Sequence, residues 1–291
     1  MVEANERGLK LEEELKKHIP TFIKRNKVDS RRVVINERMN SLAEKLFYGT
    51  PPEDDFVTLV SKGEWVDETV SATLFPYTNI SLPQIMSAVS KMTSDEKREI
   101  LHTYRAKRET RRDRTGRGLE AGYPITFDLV GGFAEYRDLQ RHRMLTQQRQ
   151  RLGTELGFIL PPEMSEIGLE KEVLEVVDMV DNLNSDVRHA GLTYSSQYAT
   201  LFNHRIRWMM GMNLREFQHL SELRTQPEGH FSYRSMTMEM ARQLAQRDPW
   251  AEDFYGFVNY SDPNNKISRA REQSKIAGKN LVKGIDGGVD Y

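Results

Sequence analysis

The chain has 291 residues, 42 Lys+Arg against 43 Asp+Glu for a net charge of −1, and no cysteine. Such a length supports one large domain or two small ones, and a near-zero charge argues against a surface built throughout for nucleic acid. Without cysteine there are no disulfides, thiolate metal sites, iron–sulfur clusters or cysteine nucleophiles. The opening "MVEANERGLKLEEELKK" is too charged for a signal peptide, and no apolar run reaches membrane length, so a cytoplasmic protein is expected.

In chain order, helices are expected over 6–19, with Leu9, Leu11 and Leu15 on a stripe, and over 30–48, with Val33, Val34, Met39, Leu42, Leu46 and Phe47. "GTPPEDD" at 49–55 is a break, and "FVTLV" at 56–60 is a short strand candidate. Segments 66–75, 81–92 and 94–108 read as helices, with Ser81 and Thr93 as N-caps and Glu96 in capping-box spacing to Thr93. "RAKRETRRDRTGRG" at 105–118 is basic and ends in turn residues. "YPITFDLV" at 123–130 alternates Ile125, Phe127 and Leu129 against Thr126 and Asp128, a half-buried strand. The glycines at 131–132 then open an arginine-rich helix over 135–152. A long helix over 164–184 gathers Leu169, Val173, Val176, Val177, Val180 and Leu183 on one face. "RIRWMMGM" at 205–212 is a second alternating strand, followed by helices over 213–224 and 232–247 and a polar tail from 261. The mix predicts an α+β fold, helix-rich, with a central mixed or antiparallel sheet covered by helices. The boundaries expected are a helical extension at 1–50, a main domain at 51–260 and a tail at 261–291.

Three constellations carry possible chemistry. On a 135–152 helix, Phe133, Tyr136 and Leu139 form the buried stripe, Asp138 and His142 sit at i,i+4, and Arg141 and Arg143 diverge by about 200°. A helix that follows a strand at 213 offers N–H groups to an anion, with Asn213, Arg215, His219 and Arg224 along it. The basic run 105–117 would suit a diphosphate or RNA. For each, a plain solvated charged face competes with a site. The seven histidines show no metal-ligand spacing, and no Gly-x-Ser-x-Gly occurs.

The order of "ITF" at 125–127, "RHR" at 141–143, "NLR" at 213–215, Arg224 and "GHFSYR" at 229–234 resembles the flavin-dependent thymidylate synthase (ThyX) family over roughly residues 55–250. The resemblance implies a ThyX-like fold, FAD and dUMP bound between the subunits of a homo-oligomer, and NADPH and methylene-tetrahydrofolate as co-substrates for C5 methylation. Carried over by position, Arg141, His142, Arg143, Asn213, Arg215 and His219 would hold FAD, and Arg149, Arg151 and Arg224 the dUMP-like nucleotide. The chain departs from the family pattern at several of these points. Arg151 stands for the family serine seven residues past "RHR", Arg149 for the acid before it and Gly153 for the arginine after it. Ala121-Gly122 replace a Glu-His pair, Gln197 an arginine and His219 an asparagine. An arginine in place of a base-binding serine calls for a new anion. The chain resembles the degenerate half of double-length members, so a pseudo-symmetric partner half, with this chain as a catalytically inactive scaffold, is the alternative reading. An anion- or RNA-binding protein is the third.

Overall fold

The computed structural model describes residues 2–23, 30–53, 55–63, 65–105, 107–122 and 124–265, with 270–272, 274, 275 and 278 beyond them. Val33 lies where side chains are outside the described set, as do Tyr123 and most of the expected tail.

Eleven α-helices and four strands are present among the described residues. Helices α1 (Val2–His18), α2 (Pro20–Ile23) and α3 (Ser30–Phe47) precede strand β1 (Val57–Leu59). Then come α4 (Trp65–Leu74), α5 (Leu82–Val89) and α6 (Ser94–Arg105), strand β2 (Ile125–Gly132), α7 (Phe133–Leu139) and strand β3 (Thr146–Arg149). The chain continues through α8 (Pro162–Glu166), α9 (Glu170–His189), strand β4 (Arg205–Met212), α10 (Leu214–Arg224) and α11 (Phe231–Arg247). The strands form one antiparallel sheet in the order β1-β2-β4-β3.

Alternation decides the sheet's buried face. Ile125, Phe127 and Leu129 of β2 and Ile206, Trp208, Met210 and Met212 of β4 are all buried. They pack with Leu214, Phe217 and Leu220 of α10 and with Met236, Met240 and Leu244 of α11. Phe127 and Phe217 stack with centroids 5.7 Å apart. On the wetter face Arg207 pairs with Asp128. The free edge of β1 is met by Gln243 of α11, which accepts from Leu59 N and donates to Val57 O, both at 2.8 Å. The capping box at Thr93 forms as expected: Glu96 accepts from Thr93 N at 2.7 Å, and Glu96 N donates back to the hydroxyl at 3.3 Å.

Three expectations are corrected. The helix over 135–152 stops at Leu139, after which residues 140–145 turn and β3 pairs with β4 from Thr146↔Gly211 to Arg149↔Trp208. Helix propensity loses here to the open edge of β4, which offers a full ladder of backbone partners. The 200° divergence of Arg141 and Arg143 and the Asp138–His142 contact fall with that helix. The helix over 164–184 is broken by Gly168, whose φ of 77° is left-handed, into α8 and α9. Its apolar face is also poorly covered: Val177 is buried, but Leu169, Val176 and Leu183 are exposed. The stripes of α1 and α3 form within helices, yet Leu9, Leu11, Met39, Leu42, Leu46 and Phe47 are exposed. No helix among the described residues is long and apolar enough to cross a membrane.

Candidate functional site

The cleft is built where β4 passes into α10. Asn213 is the N-cap of α10, its Oδ1 accepting from Glu216 N at 2.9 Å. The first turn of α10, the positive end of its dipole, borders a cavity of about 830 Å³ lined by Asn213, Arg215, Glu216, His219 and residues 111–115. Residues 108 and 111–115, from the basic run, border this cavity, with Thr115 buried and Arg111 to Arg114 exposed at its rim. Arg108 clamps buried Glu222 through two bonds of 2.6 and 2.8 Å and donates to the Phe254 carbonyl at 3.1 Å. Arg111 donates to the Glu222 carbonyl at 3.2 Å, and Thr115 to Gln218 Oε1 at 3.0 Å. Arg215 is ion-paired with Glu120. Arg112 and Arg114 also line the cavity; both are exposed and neither has a carboxylate partner among the described residues.

A contiguous cavity of about 240 Å³ shares Met144, Glu216, His219 and Leu223 with the first and adds Arg141, His142, Arg143 and Arg224. In the turn after α7, His142 is buried while Arg141 and Arg143 stay exposed. Arg224 Nε donates to His142 Nε2 at 2.9 Å, and His142 Nδ1 bonds Glu216 Oε1 at 2.8 Å. An Arg Nε–H can only donate, so Nε2 is the acceptor and the ring proton sits on Nδ1, directed to Glu216. The His219 ring lies 5.5 Å from that of His142. Burial holds the His219 imidazole below its usual range, with Glu216 opposing and His142, Arg111 and Arg224 adding to the depression.

Seven expected site residues (Arg141, His142, Arg143, Asn213, Arg215, His219 and Arg224) therefore border two joined cavities. Arg141 and Arg143 do not face apart; both also line a third cavity of about 660 Å³ with Arg137, Gln140 and Phe202. Arg149 and Arg151 lie elsewhere in the chain. Arg149 donates to the Gln150 carbonyl at 2.9 Å and reaches Gln197 Oε1 at 3.5 Å, and Arg151 stands 4.7 Å over the Tyr194 ring. Gln197 also accepts from Leu152 N at 3.1 Å, so this residue ties down the segment carrying both arginines. Gly122 has a φ of 73°, and a Cβ there would collide with Thr69 and the Trp65 carbonyl; no histidine fits that position. Arg234, in the "GHFSYR" stretch, is buried and braces Thr225 O at 3.1 Å and Ser261 O at 3.3 Å, a structural role. Sequence reading missed Glu216 and Glu222, and it left the basic run open between site and solvent; the two acids among the cations of α10 were the available signal.

Comparison with known proteins now decides the lineage. The model of the family described as thymidylate synthase complementing protein matches residues 86–250, which contain β2, β4 and every residue of the two cavities. This chain belongs to the thymidylate synthase complementing protein family. It is a divergent, ThyX-like member. It is 31% identical over 287 residues to a UPF0159 protein of Chlamydia muridarum, covering 94% of this chain and 53% of that relative. A UPF0159 protein of Chlamydia pneumoniae is 32% identical over 259 residues, covering 86% of this chain and 48% of the relative. A third, from Thermoplasma acidophilum, is 27% identical over 273 residues, covering 92% and 54%. The chain thus spans about half the length of the curated relatives it matches. Among solved structures, the UMP/dUMP methylase PolB from Streptomyces cacaoi, bound with 5-Br dUMP, aligns at a TM-score of 0.54 and 13% identity. It covers 72% of this chain and 99% of that one, which places the thymidylate synthase complementing protein member in the same α+β fold.

Proposed function

We propose that the chain is a divergent flavin-dependent thymidylate synthase-like domain that works in the cytoplasm on C5 methylation of a dUMP-like nucleotide, with methylene-tetrahydrofolate as carbon donor and NADPH as reductant. The observation that carries this is the pair Arg112 and Arg114, two residues on the rim of the main cavity with no carboxylate partner among the described residues, beside the first turn of α10. An anion is what such a wall accepts. The residues fit FAD: Arg112, Arg114 and Arg215 would hold its diphosphate, and Asn213, His142 and His219 the rest of that wall. FAD, when bound, supplies hydride to the transferred carbon. Glu216 and Arg224 fix His142 between them, so the wall is set before ligand arrives. Arg224 would hold one end of the nucleotide, a ligand class in keeping with the 5-Br dUMP bound to the PolB neighbour.

A second reading is favoured by two observations. Arg149 and Arg151 lie outside the joined cavities of their own chain, and the chain spans half of its relatives. On that reading this domain completes nucleotide sites in a partner, either another copy or a pseudo-symmetric half, and turns over little by itself. Residues 51–260 would be the ThyX-like domain, with 1–50 a helical extension and 261–291 a tail. Two measurements test the proposal. The purified protein should show bound-flavin absorption in the visible, or acquire it on FAD titration; a colourless protein that takes up no FAD would refute it. Tritium release from C5-labelled dUMP should be weak for this chain alone, and robust release would discard the second reading.

A further inference from the structure

The far end of the β2–β4 ladder holds a cavity that the flavin reading does not use. It measures about 360 Å³, within the range of small-molecule pockets. Phe56, Val130, Ile159 and Phe231 supply apolar walls, and Glu135 and Arg205 the charge. The ladder runs from Ile125↔Met212 beside α10 to Gly132↔Arg205 here, so eight residue pairs separate the two sites, about 24 Å of strand.

Glu135 is 5% exposed, and its Oε2 is buried without a hydrogen-bond partner among the described residues. It is the third residue of α7, where a carboxylate ordinarily bonds free N–H groups of the first turn. Two of those donors are occupied: Phe133 N donates to His204 O and Ala134 N to Phe202 O, both at 2.9 Å. Gly132, the N-cap, leaves the space into which Oε2 folds; a Cβ there would collide with it. The Arg205 guanidinium borders the same cavity and makes no ion pair or side-chain hydrogen bond, with Glu135 or with any other described residue. The two serines are committed, Ser235 to the Phe231 carbonyl at 2.9 Å and Ser232 to His230 Nδ1 at 2.7 Å. A buried carboxylate oxygen without a donor is costly, and water alone would leave the apolar walls unused.

We infer that this cavity binds a small molecule with a cationic N–H donor head, an amine or amidine, on a flat apolar body. The head meets Glu135, whose Oε2 turns off Gly132 into the cavity to receive it; the body lies among Phe56, Val130, Ile159 and Phe231, and an anionic substituent reaches Arg205. Benzamidine is the probe, titrated by calorimetry and by ligand-observed NMR. Saturable binding is expected, weakened at least about tenfold when benzamide, the neutral isostere, replaces it. Glu135→Gln should lose a similar factor while its circular dichroism stays native. 4-Amidinobenzoate should bind more tightly than benzamidine, and Arg205→Gln should remove that gain alone. If Glu135→Gln fails to fold, Ser235→Leu, which keeps the carboxylate and narrows the cavity, should lose benzamidine instead. No saturable binding up to about 10 mM, or equal affinity in these variants and the parent chain, overturns the inference.

Discussion

Two arginine clusters sit within this fold and are neutralised in different ways. Around residues 108–115, cations are partly spent inside the protein: Arg108 is buried against Glu222 and Arg215 meets Glu120, while Arg112 and Arg114 face the cavity unmatched. Around residues 137–151, Arg141 and Arg143 stand in solvent, Arg141 with only a 3.9 Å approach to Asp138, and Arg151 rests on an aromatic ring. Density of positive charge in the sequence is similar, and Arg112, Arg114, Arg141 and Arg143 are all exposed; the difference is the buried Glu222 that meets Arg108. A guanidinium is structural where a buried carboxylate waits for it and is available to ligand where none does.

Four measurements would break or sharpen that contrast. The largest effect is expected at Arg108: Arg108→Ala strands Glu222 and should cost about 3–5 kcal/mol in urea unfolding. The double variant Arg108→Met/Glu222→Leu should recover most of it; no recovery would mean the pair is not what Arg108 contributes. Next, Arg112→Ala with Arg114→Ala should leave stability within about 0.5 kcal/mol and weaken FAD at least tenfold, about 1.4 kcal/mol. An unchanged FAD titration would return these two to the solvated class. Third, the depressed His219 pKa means that the unfolded chain binds a proton that the folded chain resists. Stability should be complete above about pH 6.5, the unfolded value, and fall as pH drops from there toward the folded pKa. His219→Asn should flatten the pH dependence of the unfolding midpoint in that window. The smallest effects belong to Arg141→Ala and Arg143→Ala, each expected within about 0.5 kcal/mol in the same urea assay. A larger loss from either would show an interaction that the exposed turn does not suggest.

How much of this was legible depended on whether the signal was local. The alternation of Ile125, Phe127 and Leu129 and of Ile206, Trp208, Met210 and Met212 marked both central strands, because each buries one face. β3 was invisible for the converse reason: "TQQR" is polar on both faces, and only the neighbouring edge of β4 makes it a strand. The tripeptide at 141–143 was read as a site element on a helix; it borders a cavity, but the helical geometry is not present. A turn, not a helix, sends His142 inward and both arginines outward. Arg108 and Glu222 meet across 114 positions of sequence, and no spacing rule reaches that far. The stripes on α1 and α3 were read correctly as amphipathic, yet amphipathicity states a capacity for burial and not its partner.

The Gln243 amide beside β1 has a consequence for assembly. Its C=O and NH₂ reproduce one peptide unit of an additional strand, matching Leu59 N and Val57 O. A sheet edge so occupied cannot recruit a strand from another molecule, although β1 is short, apolar in part and next to the breaker "GTPPEDD". The remaining edge, β3, carries Thr146, Gln148 and Arg149 exposed or partly so, and repels dry pairing by its polarity. Among the described residues a helix-borne glutamine on one side and a hydrophilic strand on the other bound the four-stranded sheet, so neither edge favours the addition of a further strand to its backbone ladder.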